Sequence, residues 1–187
     1  MEVDEAYKLL VEGHGAFPRF YGSADGLDLG VGLILDGAAY PIYDDGAGEF
    51  AVAEGIVYVV SHECDLSQEN ERPFNDAALV CPIIPLQLVL DHYLLGLSAD
   101  KVRSFIHQLS ASRVDRAAFI PTIPDRLPHG GVLYFSTMTS TTVSELKRPN
   151  VATPCAVTVP GLKYIDDRLH QAILKRPKDQ PLPLANR

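Results

Sequence analysis

Five consecutive residues, Ile56-Val57-Tyr58-Val59-Val60, constrain the fold most. All are apolar or aromatic and most are β-branched, which is the composition of a strand buried on both faces. Such a strand has to lie inside a sheet, and the chain supplies neighbours for it. Ala77 to Cys81 reads as a second strand, stopped by Pro82. Ala117 to Ile120 and Val132 to Phe135 are two more, separated by a loop with Pro121, Pro124 and Pro128. Gly30 to Tyr43 reads as a hairpin. Val31, Leu33 and Leu35 alternate with small residues, and Asp36-Gly37 is a turn pair before Ala38 to Tyr43. Asp44 to Glu49 follows as an exposed loop. Val151 to Val159, broken by Pro154, reads as an edge or bulged strand.

Three stretches change period. Residues 4–12 place Ala6, Leu9 and Leu10 on one helical face, with Asp4 and Glu5 in the first turn and Gly13 and Gly15 at the end. From about 86 to 110 the spacing is helical twice, through Leu86, Val89, Leu90, Tyr93 and Leu94, then Val102, Phe105, Ile106 and Leu109. Ser98 is placed to cap the second of these helices. A last helix spans about Leu162–Leu174, with Asp166 and Asp167 early and Lys175 and Arg176 at its end, as the helix dipole favours. The segment 177–187 holds three prolines without apolar periodicity and reads as a flexible tail. The expectation is a mainly β chain with added helices, of the α+β class. A small SH3-like bent barrel would carry an N-terminal helix, a central helical insert at about 86–110 and a C-terminal helix. At 187 residues, one globular domain over 1–176 fits the length.

Charge and cysteines narrow the function. Sixteen Lys and Arg against 24 Asp and Glu give a net charge of −8, which opposes non-specific binding to phosphates. The one basic patch in prospect would gather Lys147, Arg148, Lys163, Arg168, Lys175 and Arg176. Cys64, Cys81 and Cys155 are widely spaced and form no CxxC pair, so a zinc knuckle is not expected. Reduced thiols, an acidic start and no apolar run of about 18 residues point to a cytoplasmic chain with no membrane span.

One segment stands out for chemistry. The strand at 56–60 runs directly into Ser61-His62-Glu63-Cys64-Asp65. Polar and reactive side chains at the end of a rigid strand are where sites are commonly mounted. His62 can serve as base or ligand, Cys64 as nucleophile or soft ligand, and Asp65 as an orienting or ligating carboxylate. These three are the candidate catalytic residues and the candidate metal ligands, with zinc the ion their mixed donors would favour. Ser61 and Glu63 are candidate binding residues beside them, and Cys81, at another strand's end, is a candidate neighbour. The same segment also reads as a structural corner, with Cys64 a small buried hydrophobe and Asp65 in turn chemistry.

Other features are weaker. Asp91-His92 and His107 sit on helical stretches with apolar neighbours, and His129-Gly130-Gly131 is a turn before a strand. Ser136 to Thr142 is a hydroxyl run that reads as an exposed strand end and a cap, and no GxSxG elbow is present. Arg72 and Arg148 are candidate phosphate-binding residues at a site rim.

The order of parts resembles a known family. A buried strand ends in Val59-Val60-Ser61, and a polar loop leads to a strand ending in Cys81-Pro82-Ile83. Later come a strand, a proline-rich turn, the stretch Gly130 to Leu146 and a terminal helix. Over about 56–85 and 117–174 this is similar to the MazF/PemK toxin family, whose SH3-like barrel has helices attached. The family's RNA-cutting members place a basic residue before the first core strand and a hydroxyl after the Pro-Ile of the second. Here Phe50 to Gly55 holds no Arg, and Ile84-Pro85 follows Pro82-Ile83, so those catalytic residues do not carry over. The resemblance implies a non-catalytic or degenerate barrel module that binds a protein or nucleic-acid partner in a toxin–antitoxin or phage-defence setting, with a homodimer expected by analogy. Two alternatives are an endoribonuclease with relocated residues, using His62 with Arg72 or Arg148, and a metal- or cysteine-dependent enzyme centred on His62, Cys64 and Asp65.

Overall fold

The apolar run is the inner end of a longer strand at the centre of a bent sheet. The computed structural model describes residues 1–14, 19–44, 46–67 and 76–174. In chain order these form α1 (Val3–His14), β1 (Tyr21–Gly22), β2 (Leu33–Asp44), β3 (Glu49–Val59), α2 (Glu63–Leu66), β4 (Ala77–Pro85), α3 (Leu86–Leu88), α4 (Ala99–Ser110), β5 (Ala117–Ile120), β6 (Gly131–Tyr134), β7 (Thr139–Thr142), α5 (Val143–Leu146), β8 (Ala152–Val157) and α6 (Val159–Leu174). A π-helical turn, Val89–Tyr93, continues α3, and a 3₁₀ turn, Phe135–Thr137, follows β6. The strands pair antiparallel in the order β1-β8-β2-β3-β4-β6-β5, with β7 also on β4. The fold is α+β, as the strand and helix periods predict. The sheet bends far enough for β7 to reach β2, where Thr141 Oγ1 donates to Ala39 O at 2.8 Å. Among the described residues it does not close into a complete barrel, because β1 and β5 remain as edges.

Strand β3 is buried on both faces along Val57–Val59. Tyr58 points into a cluster with Ile34, Cys81, Leu133 and Ile165, beneath α6. Val57 and Val59 point the other way, to Leu33, Leu35, Val80, Leu66 and Leu146, beneath α2 and α5. Strand alternation divides one apolar run between two cores, and each buried Leu, Ile or Val contributes about 1.5–3 kcal/mol. The helices at 86–110 pack with α1 over β5 and β6, where Leu10, Leu86, Ile106, Leu109, Phe119 and Val132 meet.

Several expectations are corrected. Asp36-Gly37 is a bulge inside β2, not a hairpin turn. The register shifts between Leu35 and Ala38, and Gly37 takes φ 78°. The hairpin joins β2 to β3 instead, and β3 begins at Glu49, well before Ile56. Pro82 does not stop β4. It stands opposite Val57 of β3, and on the other edge of β4 it falls between the residues paired with β7 (Ala77–Val80) and those paired with β6 (Ile83–Pro85), a gap in which a residue without an N–H is tolerated. Ser98 holds the N-cap position of α4 without a side-chain cap bond. Arg168 belongs to no surface patch. It is 5% exposed and donates to Ala117 O, Ser112 O and Val114 O. Arg72, Lys175, Arg176 and the tail 177–187 lie outside the described residues.

Candidate functional site

The corner after β3 is built by three anchors. Leu79 N donates to Ser61 Oγ at 2.8 Å, and Ser61 N and Val60 N both donate to Leu79 O. This ties the end of β3 to β4. Leu66 plugs the other end of the corner into the core at 2% exposure. Gly30 lies beneath, so close that a β-carbon there would stand 2.8 Å from Glu63 Cβ and 2.9 Å from its N. Only glycine allows that approach. Ser61, a candidate binding residue, is therefore a clamp.

On this fixed backbone the next side chains are exposed. His62 is the N-cap of α2, and its Nδ1 accepts from Cys64 N at 3.3 Å. Glu63 Oε2 lies 3.3 Å from the same Nδ1. One donor atom each from His62, Glu63 and Cys64 lie within 4.8 Å of one another. The expected carboxylate was that of Asp65, but the one that joins His62 and Cys64 in this group is that of Glu63. A short helix turns successive side chains by about 100°, so strand alternation does not govern the placement. Cys81 is buried, and burial pushes its thiol up to about 12; Cys155 is likewise pushed up to about 11. Neither forms a ready thiolate near neutral pH. Cys64 is the exposed cysteine.

Arg148 is elsewhere. It pairs with Glu145 at 2.9 Å and lines a groove of about 370 Å³ with Ala39, Tyr40, Pro41, Val52 and Thr141. His62 lies past the opposite end of β3 from Val52, and eight strand residues extend roughly 26 Å. His62 and Arg148 therefore do not converge on one phosphate.

The groove flanks a second feature that the sequence reading missed. Among the described residues, β3 pairs with β2 alone beyond Gly55, and its other edge takes β4 only at Val57–Val59. The hairpin arm carries Tyr43, Phe50 and Val52 in the open, the last two each 77% exposed, and the Tyr43 and Phe50 rings meet edge-on at 5.4 Å. The alternation of Phe50 and Val52 with Ala51 and Ala53 was the available signal.

No family model, no curated protein and no solved structure matches the chain. Among the described residues, no helix is long and apolar enough to cross a membrane.

Proposed function

We propose that this chain is a non-catalytic binding module of the MazF/PemK-like kind, and that it docks an extended segment of a protein partner along the β2–β3 arm. The observation behind this reading is the arm itself. Tyr43, Phe50 and Val52 form an exposed apolar surface beside the β3 edge at 49–56, which no described strand covers. Unpaired edges with apolar side chains are templates for an added strand, in which backbone bonds give affinity and side-chain pockets give selectivity. The charge selects the partner. The chain carries −8, and Glu49 and Glu54 lie on the edge strand, so the docking segment alternates apolar residues with Lys or Arg. The same charge argues against nucleic acid. Lys8, Arg103, Arg126 and Arg148 are each already paired with a carboxylate.

Selection from a displayed random-peptide library tests the reading. Wild type should enrich basic, apolar-alternating peptides, and a folded Phe50→Asp/Val52→Asp variant should enrich none. Equal enrichment by both proteins overturns the arm. Self-association lost in the variant makes the occupant a second copy, and retention of RNA lost in the variant makes it nucleic acid.

A further inference from the structure

The corner at the far end of β3 carries a separate inference. We propose that His62, Glu63 and Cys64 bind one divalent transition ion of borderline softness, with Zn²⁺ as the reference case. Three donors of different kinds, an imidazole nitrogen, a carboxylate oxygen and a sulfur, have atoms within 4.8 Å of one another. Bonds of about 2.0–2.3 Å in a tetrahedral site put donors roughly 3.3–3.8 Å apart. The three must therefore close by about 1 Å. Their side chains are exposed and can rotate that far. The backbone beneath cannot follow, because Ser61 holds it to β4, Leu66 is buried and Gly30 is packed against Glu63.

Donor chemistry selects the ion. Calcium and magnesium require oxygen ligands, whereas sulfur with imidazole suits zinc and its neighbours. Binding converts the Cys64 thiol to thiolate and releases one proton to solvent. Thiolate and carboxylate then supply two negative charges to match the ion, with His62 neutral. Three protein donors leave the fourth position facing solvent, as in open zinc sites rather than closed structural ones. Asp65 is outside the set. This proposal does not rest on the partner-docking reading, since the arm and the corner lie at opposite ends of β3.

The test titrates Co²⁺ into reduced, chelator-stripped full chain and follows the thiolate-to-cobalt charge-transfer absorption, then displaces it with Zn²⁺. Wild type should bind one equivalent more tightly than about 0.1 mM. Cys64→Ser should remove the band. Glu63→Gln and His62→Asn should each weaken binding by more than about tenfold, since loss of even outer-shell support costs about 10–100-fold. His62→Asn retains a side-chain oxygen to cap α2, so the loss reports the imidazole rather than the helix. Asp65→Asn should bind as wild type. Circular dichroism confirms that each variant is folded. The proposal is overturned if wild type shows no band below that concentration, if the band survives in Cys64→Ser, or if Asp65→Asn loses binding while Glu63→Gln keeps it.

Discussion

Tyr58 carries a hydroxyl into an apolar core. The residue is 1% exposed, and its Oη has no hydrogen-bond partner among the described residues. Burial raises its pKa well above the usual phenol range, and the nearby Asp166 and Cys81 push the same way. A buried hydroxyl without a partner costs about 1–3 kcal/mol, while the ring fills its cluster. Tyr58→Phe should therefore leave stability unchanged or raise it by about 1 kcal/mol, measured as an upward shift of the urea midpoint at constant slope. A fall in the midpoint would show that the hydroxyl is bonded. Tyr58 was legible as a core residue from its place in the apolar run. Its unmet hydroxyl was not, because that depends on which groups from β4 and α6 face it.

At the scale of elements, α6 does more than cover a core. Strand β5 ends the sheet, and its outer edge is met by side chains of α6 rather than by another strand. Tyr164 Oη accepts from Phe119 N at 3.1 Å, and Arg168 Nε donates to Ala117 O at 3.2 Å. Arg168 also gathers the carbonyls of Ser112 and Val114 and the side chain of Gln171. A covered edge does not recruit other strands, which contrasts with the open edge of β3. Arg168→Leu should destabilise the chain by roughly 3 kcal/mol, since it removes charge-assisted bonds and leaves the buried Ala117 carbonyl and two half-buried ones without this donor. A chemical-denaturation midpoint within error of wild type would refute this. The helical period over 162–174 was readable in sequence. Charge alone predicts a surface place for Arg168, because charged residues almost always have one, and only the carbonyls ringed around it reverse that expectation.

Across the whole molecule, α1 returns to pack on the far end of the sheet, and its last residue links pH to stability. His14 stacks on Phe119 with centroids 5.7 Å apart and meets Tyr164 edge-on at 5.6 Å. Burial lowers its pKa below 6.5, with Arg168 adding to the effect and a backbone bond at Leu109 opposing it. The folded state thus binds a proton at His14 less readily than the unfolded chain does. Stability from this group is fully present above about pH 6.5 and is lost as pH falls from there through the folded pKa. Thermal unfolding from about pH 7 to about pH 5 should show a falling midpoint that flattens in His14→Gln. An identical slope in both proteins would assign the acid loss to other groups.

The sequence by itself determined the class of fold, the central strand, the helical insert and the segment that carries reactive side chains. Those follow from hydrophobic period and turn chemistry, which act over a few neighbouring residues. Tertiary structure decided what lay between distant positions. It made Asp36-Gly37 a bulge because β8 and β3 flank it in different registers. It set Glu63 rather than Asp65 beside His62 and Cys64 because the chain turns into a helix over Gly30. It bared the β2–β3 arm because β4 leaves β3 after three residues to pair with β6. Each outcome depends on which backbone lies alongside, and local sequence carries no record of that.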